Sequence, residues 1–427
     1  MTNSTPTRSA FSYRAFTMFW IGRIVSILSF QMLVVAIGWQ LYVLTGSALD
    51  LGLLGIAQFV PMLVLTPLVG HVADRYDNRL ILLICQLGEA TAAAILAFGT
   101  VMGWLDPLTI YVIMALVGAG RAFEIPTMVA IIPALVPRPV VPSATAWFAS
   151  SNQIGVIVGP ILGGLLYELG SGTVYGLAVA LWCVGASFIF LIHMERVPRA
   201  SEPMSLQSLL GGFDFVWRDR VILGTISLDM CAVFLAAAPA LFPVFARDIL
   251  QTGPWGLGLL RAAPGVGAFA MSVVLARRPL TLPIGKVLFT VVGIFGVAII
   301  VFSLSTHLIL SMAALAVMGA ADVVSVVIRF ALVQLRTPPQ MRGRVSAVNG
   351  MFTGTSNYLG EFRAGAVAYV IGAVPAVLIG GIGVFAVAIV WMFLFPQLWR
   401  TRTYDELSAA QVLSGDKALS GEEKKPP

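Results

Sequence analysis

The chain has 427 residues, of which 58% are hydrophobic and 11% charged, with a mean hydropathy of +0.93. That make-up excludes an ordinary soluble globular protein and places the chain in a lipid bilayer. The formal net charge is +6, but basic residues recur at turn after turn instead of along one patch with interleaved aromatics, which excludes a nucleic-acid partner.

Residues 1–15 are polar, carry Arg8 and Arg14, and read as a cytoplasmic segment. The apolar run from Phe16 to about Leu44 is too long for a signal-peptide core and is expected to be a retained first span. Further apolar runs of about 20 residues or more predict helices near 49–73, 80–102, 108–133, 141–167, 174–194, 221–246, 256–276, 283–304, 309–335, 343–371 and 374–396. Twelve spans put both termini on one side. If that side is cytoplasmic, the inner segments hold twenty Lys and Arg and the outer loops only Arg247, as the positive-inside rule requires. The expectation is a multi-pass protein of the cell inner (plasma) membrane, acting as a monomer. Residues 16–194 and 221–396 form two six-helix halves, joined by a cytoplasmic loop at 195–220 and followed by a charged tail, 397–427, read as disordered. Within the loop, Ser205 to Trp217 has Leu206, Leu209, Leu210, Phe213 and Trp217 at helical spacing and predicts an amphipathic helix on the membrane surface.

Cys85, Cys183 and Cys231 are far apart inside apolar runs, without the spacing of a disulfide framework or a metal site. His71, His193 and His307 are isolated, and there is no Gly-rich phosphate loop with a lysine. The reading is therefore of no enzyme, no metal and no cofactor.

On the fifth predicted helix, Gly155, Gly159 and Gly163 lie four apart, with Pro160 and Gly164 in the same uncharged run. Positions four apart share a helix face, so the glycines form a groove for close backbone approach. Either this is a plain small-residue contact or it is a seal between two halves. The halves repeat at offsets of 201 to 207 residues: Thr45-Gly46 returns as Thr252-Gly253, Leu51-Gly52 as Leu257-Gly258, Gly118 as Gly319, Gly159 as Gly360 and Gly164 as Gly365. A parallel repeat of this kind puts a substrate site between the halves at mid-membrane.

Once the charges assigned to loops and span ends are set aside, ten ionisable residues remain within the predicted spans: Arg23, Glu89, Arg121, Glu124, Asp229, Arg261, Asp322, Arg329, Glu361 and Arg363. Each is costly in a membrane unless paired or wet. Arg121 and Glu124, three apart, can pair on one helix face, either as a structural salt bridge or as part of proton carriage. Asp322 stands at the repeat position of Arg121, which suggests a central pair of opposite charges. Arg23, Arg121, Glu124, Asp229 and Asp322 are the leading candidates for proton carriage and alternating ion pairs, with bracing of helices as the competing role for the aspartates. Glu361 and Arg363 belong to the same set, but two apart they face different ways. Trp39, Phe59, Trp147, Phe148, Phe234, Phe352 and Tyr358 could line an apolar cargo site or serve as ordinary core.

The turn Gly70-His71-Val72-Ala73-Asp74-Arg75, followed by Asp77-Asn78-Arg79, resembles the signature loop of the major facilitator superfamily, and the resemblance covers essentially the whole chain. Gly70, Asp74, Arg75 and Arg79 are then the expected inner-gate residues. The sequence departs from the family pattern at Asp77, where a second glycine is usual, and at Asn78, where a basic residue is usual. Gly155, Gly159, Pro160, Gly163 and Gly164 resemble the motif of the drug:proton antiporters. Phe242-Pro243, Met341-Arg342-Gly343-Arg344 and Asn357-Tyr358-Leu359-Gly360-Glu361 resemble the enterobactin-exporter and macrolide-efflux branch. Arg121 stands where that superfamily often has an arginine linked to proton coupling. The resemblance implies an all-α, twelve-span transporter that exports an organic small molecule, siderophore or drug-like, against protons. A proton-coupled uptake symporter of the same fold and a non-transporting membrane sensor or secretion partner are the alternatives.

Overall fold

The computed structural model describes residues 9–192, 206–278 and 283–401. Twelve long helices run antiparallel: α1 (Arg14–Thr45), α2 (Ala48–Arg75), α3 (Asn78–Met102), α4 (Pro107–Leu135), α5 (Val141–Tyr167), α6 (Ser171–Leu191), α7 (Arg220–Ala236), α8 (Gly253–Arg277), α9 (Ile284–Leu304), α10 (Leu308–Arg336), α11 (Arg342–Ile371) and α12 (Ala373–Leu394). No strand occurs among the described residues. Eleven spans combine the length and apolarity needed to cross a membrane. The remaining one, α11, is 30 residues long but carries Arg342, Arg344, Glu361 and Arg363. It is held in the bundle by its neighbours, chiefly α2 and α7. Large apolar side chains on the outer surface are exposed, such as Ile309 at 84%, Phe393 at 80% and Val370 at 78%. A surface of this kind is stable only against lipid. A groove of about 610 Å³ between α9, α10 and α12, which includes Phe289, Val297 and Leu310, has no charged lining group and belongs to that same outer surface.

The helix ends follow local chemistry. Asp77, Asp106 and Asp219 cap α3, α4 and α7, each accepting a backbone N–H from the first turn at 2.8–3.1 Å. Gly46 and Gly103 close α1 and α3 at φ +62° and +71°, a backbone shape that glycine adopts without strain. Asp77, the departure from the family loop, thus has a local task as a cap.

The seventh span, expected as one helix over 221–246, breaks at Ala237. It continues as a 3-10 turn (Ala238–Leu241), a single α-turn (Phe242–Val244) and a π-turn (Phe245–Ile249). Pro239 and Pro243 supply no N–H to the helix ladder, so the regular helix stops before them. The carbonyls thus freed on α7 are met by Arg363 of α11, which donates to Phe234 O at 3.2 Å and Leu235 O at 2.7 Å.

The connecting helix Leu206–Arg218 lies against one end of α11, with Phe213 edge-on to Phe352 at 5.5 Å and Gly212 beside Arg344 and Val348. Among its described side chains Phe213 packs as expected and Val216 is buried, whereas Trp217, expected on the apolar face, is 74% exposed and left at the surface as an interfacial aromatic. Ser205, and the side chains of Leu206, Leu209 and Leu210, lie outside the described residues, as do residues 1–8, 193–205 and the tail beyond Thr401.

The two six-helix halves meet along α2 against α11 and α5 against α8. At both contacts the backbones nearly touch. A Cβ on Gly164 would lie 2.5 Å from Pro254 O and 3.0 Å from Gly258 Cα, while one on Gly365 would lie 2.7 Å from Ala48 O and 2.8 Å from Gly52 Cα. These crossings are repeat-related, Gly164 with Gly365 and Gly258 with Gly52. Both sit near the end of the molecule opposite the chain termini, hereafter the loop end. There a third link joins α1 to the π-turn. The Tyr42 hydroxyl donates to Asp248, and Arg247 donates to Tyr42 O at 3.2 Å. Toward the terminus end the halves separate. Gly343, Gly350 and Gly354 follow one face of α11, and a Cβ on any of them would meet nothing within 4 Å. The bundle is closed at the loop end and open at the terminus end.

Three of the antiporter-motif glycines do not face the other half. Gly155 packs on Ile27, Gly159 on Leu28 and Gln31, and Gly163 on Met32 and Val35, all on α1. Only Pro160 and Gly164 reach α8. The close contact between halves is made by that pair with Gly258, while the rest of the stripe binds α5 to α1.

Two predictions follow from these contacts. Gly258→Leu forces α5 and α8 apart at a cost of about 1–3 kcal/mol, so a cysteine placed at Leu51 should react roughly tenfold or more faster with a membrane-impermeant thiol reagent added from the loop end. An unchanged rate would mean that the crossing is not a seal. Arg363→Ala leaves two carbonyls unpaired and should cost about 1–3 kcal/mol, read as a lower thermal midpoint in detergent, with Arg363→Lys intermediate.

Candidate functional site

A cavity of about 410 Å³ opens between the halves beneath the two glycine crossings. α1 contributes Phe30, Gln31 and Val34; α2 contributes Leu51, Leu54, Gln58 and Met62; α8 contributes Arg261; α11 contributes Gly354, Asn357, Tyr358 and Glu361. Its lining mixes amides, aromatics and one charge of each sign, whereas the lipid-facing groove has no amide or charged side chain. Glu361 and Arg261 project into it from opposite sides of the α8–α11 gap. A Cβ on Gly55 would lie 2.9 Å from Glu361 Oε2, and one on Gly38 would lie 3.8 Å from Arg261 Nη2. The Arg261 Nε has no hydrogen-bond partner. Phe59 stacks on Tyr358 at 5.1 Å and supports that wall. A guanidinium with a free donor, a carboxylate and flanking aromatic faces can hold an amphiphilic organic molecule that has polar groups on an apolar body.

Two charged clusters flank the cavity, one in each half. In the first, Arg121 Nη1 lies 3.4 Å from Glu124 Oε2, and Ser26 Oγ donates to Glu124 Oε1 at 2.9 Å. Arg121 also stacks on Phe30 at 3.7 Å, so the cluster touches the cavity wall. Arg23 turns to Met128 Sδ and Asn152 Oδ1, both at 3.4 Å, over the ring of Phe148. Arg23, Arg121, Glu124 and Glu89 are all buried, the two glutamates almost completely. In the second cluster, Arg329 pairs with Asp229 and lies 3.9 Å from Asp322, while Thr353 Oγ1 donates to Asp229 at 3.1 Å. The Asp322 side chain is half exposed and that of Asp229 is 7% exposed. The repeat places Asp322 opposite Arg121, but no central pair of those two forms. Each has a nearer partner in its own half, because Arg329 stands two turns along from Asp322 on the same helix.

The other expected site residues divide. Glu361 belongs to the cavity. Arg363 does not, since both its described hydrogen bonds go to the broken end of α7. Of the gate loop, Arg79 donates from Nε to Ile189 O at 3.1 Å and from Nη2 to Phe190 O. It satisfies the end of α6 in its own half. Arg75 is exposed, and the side chains of Gly70 and Asp74 lie outside the described residues. Among the aromatics, Tyr358 and Phe59 form the cavity wall, Trp39 is core, Trp147 packs on Phe11 and Trp20, and Phe148, Phe234 and Phe352 are taken up by the contacts already described.

Arg261 was visible as a charge inside a span but had no role until α8 was placed across the cavity from α11. Phe30, Gln31 and Gln58 carried no sequence signal, since neutral polar and aromatic residues are common in membrane helices, and Asn357 entered only as part of the branch motif.

Comparison with known proteins agrees with this geometry. A family model described as transmembrane secretion effector matches residues 5–414. The enterobactin exporter EntS of Escherichia coli O1:K1 / APEC is 27% identical over 405 residues, covering 92% of this chain and 94% of that protein. EntS of Citrobacter koseri is 28% identical with the same coverage. Among solved structures, the nucleoside transporter NupG aligns with a TM-score of 0.70 at 16% identity, over 89% of this chain and 99% of its own. A bacterial homologue of the human lysosomal transporter Spinster, in an inward-facing and unoccupied conformation, aligns with a TM-score of 0.71 at 14% identity, over 94% and 99%. The all-helical bundle of two six-helix halves, its inter-half cavity and the match along nearly the whole chain make one conclusion: the chain belongs to the transmembrane secretion effector family of major facilitator transporters.

Proposed function

We propose that this transporter is an exporter of the inner membrane, which takes an amphiphilic organic molecule from the cytoplasm into the central cavity and releases it outward in exchange for protons. The observation that carries the reading is the cavity itself. Its lining sets amide and charged groups among apolar ones, and it is closed at the loop end by the glycine crossings and the Tyr42–Asp248 link. It opens toward the terminus end, and the distribution of Lys and Arg supports reading that end as cytoplasmic. Release on the far side requires the two crossings to part while the terminus ends close, an alternation of the two halves about the fixed site. The likeness to the enterobactin exporters supports outward movement and a siderophore-like cargo. The antiporter-type glycine stripe supports coupling to an opposing ion.

Protons are the coupling ion that the buried groups can use. Glu124 with Arg121, and Asp229 with Arg329 and Asp322, are carboxylate–guanidinium groups inside the bundle. Protonating such a carboxylate frees its arginine, and the freed arginine destabilises the arrangement built around the pair. On this reading Arg23, Arg121, Glu124, Asp229 and Asp322 act in coupling, and Arg261 with Glu361 acts on cargo.

The test uses inverted membrane vesicles energised by a proton gradient, with enterobactin and ethidium as probes. The wild-type protein should accumulate at least one of them, and dissipating the gradient should abolish accumulation. Glu124→Gln and Asp322→Asn should each lose gradient-driven accumulation by about tenfold or more, the effect of roughly 1.4 kcal/mol, while remaining folded in the membrane. Arg261→Ala should instead weaken probe binding and leave the response to the gradient intact. Accumulation at full rate in both carboxylate variants would remove them from coupling, and probe movement only in the opposite direction would make the protein an uptake symporter.

A further inference from the structure

Glu89, on α3, is 1% exposed, and neither carboxylate oxygen has a hydrogen-bond partner. Its neighbour Gln86 is fully buried with both amide atoms also unpartnered. The Glu89 side chain reaches toward α4 at a position without a side chain, since a Cβ on Gly120 would lie 3.8 Å from Glu89 Cγ. The groups that act on it come from every adjoining helix: Arg121 and Glu124 of α4, Arg23 of α1, the indole of Trp182 of α6 and, one turn back on α3, the buried thiol of Cys85.

The arrangement around it is short of one bond. Glu124 has taken both Ser26 and Arg121, whose guanidinium lies flat on Phe30. Arg23 is spent on a thioether and an amide, and its Nε has no partner. The neutral N–H groups beside Glu89, of Trp182 and Gln86, are themselves unpartnered, and a buried carboxylate with no cation paired to it is among the most costly groups a protein can bury, whereas the protonated acid is neutral. With Arg23 or Arg121 turned toward it, the balance reverses and the ionised form is the paired one. Arg121 joins this decision to the transport site, because Phe30, on which it stacks, lines the cavity.

We propose that Glu89 is a proton-binding carboxylate of the transport cycle, protonated in the conformation described here and ionised when Arg23 or Arg121 turns to it, with Phe30 and Arg121 linking its protonation to the contents of the cavity. The proton leaves the carboxyl group for water and returns from water, with no other bond made or broken. The inference rests on the export reading for its role in transport, and on the geometry of α1, α3, α4 and α6 for the site itself.

Infrared difference spectroscopy of the full chain in lipid nanodiscs, stepped in pH, reads the site without any cargo. A protonated buried carboxyl gives a C=O band that shifts in deuterium oxide. The band should be present at neutral pH in the wild type and in Glu124→Gln, and absent in Glu89→Gln. Glu89→Asp, which keeps the acid but withdraws it by one methylene, should move the band. Phe30→Ala should displace its midpoint by about one pH unit, a tenfold change in proton affinity. A band unaltered in both Glu89 variants would overturn the proposal. In inverted vesicles, Glu89→Gln should still let ethidium equilibrate but should not respond to the proton gradient. If the wild type is gradient-driven and Glu89→Gln is equally so, the proposal fails and export stands. If the Glu89 band titrates in a wild type that moves neither probe against a gradient, the proton site stands and export fails.

Discussion

A charge inside a bilayer has to be answered by another charge, by backbone dipoles or by water, and that requirement organises this bundle. Each of the buried ionisable residues is expensive alone, and the helices are placed so that few are alone. Arg363 is answered by the carbonyls that the broken α7 exposes. Arg121 and Glu124 answer one another, as do Arg329 and Asp229, and those two pairs stiffen one half each. Arg261, Arg23 and Glu89 are the exceptions, each with polar atoms left unpartnered. In a low-dielectric interior an unsatisfied polar atom is a store of interaction energy that a bound group or a proton can release.

The glycine crossings impose the complementary constraint. Backbone-to-backbone contact at Gly164–Gly258 and Gly52–Gly365 gives a tight closure without side chains that would have to be unpacked. Helix association in a membrane draws on packing and not on the hydrophobic effect, so such a contact can be lost over a short displacement. Closure of this kind at the loop end, with an open face on α11 at the other, is the asymmetry that a single cavity needs to serve two sides in turn. The Tyr42–Asp248–Arg247 link adds a polar element to the same closure, on a π-turn, a local irregularity often found at functional positions.

Much of this was legible in the residues. The twelve spans follow from hydropathy, and the repeat at offsets of 201 to 207 residues reappears in space as two equivalent crossings. The Arg121–Glu124 pair follows from spacing of three on one helix. What failed were inferences about which face a residue presents. Symmetry suggested a pair between Arg121 and Asp322, but a repeat fixes equivalent positions and says nothing of nearer partners, and Arg329 is nearer. Arg363 was grouped with Glu361 because both are charges on one helix. Its fate depended on where α7 breaks, and although Pro239 and Pro243 signalled a break, nothing in the sequence said that α11 lay beside it. Gly155, Gly159 and Gly163 do share one face, as their spacing says, but that face meets α1, and it is Gly164, five residues of helix beyond Gly159, that meets α8.

The same geometry bears on how cargo and ion can be linked through so small a contact. Phe30 is at once a wall of the cavity and the face on which Arg121 rests, and Arg121 is held at its other side by Glu124. A molecule that presses on Phe30 therefore competes with the cation–π contact, whose worth in a desolvated setting is about 2 kcal/mol. That is comparable to the roughly 1.4 kcal/mol that changes proton affinity tenfold. The equivalent position in the other half lacks such a wall, because Asp322 is half exposed and Arg329 is committed to Asp229. The two clusters are thus unequal although the helices are repeated: the first touches the cavity wall through Phe30, while the second joins α7 to α10 through Arg329 and Asp229. A transporter whose halves moved as equivalents would need the sensing contact twice; one in which a single half reads the cargo needs it once.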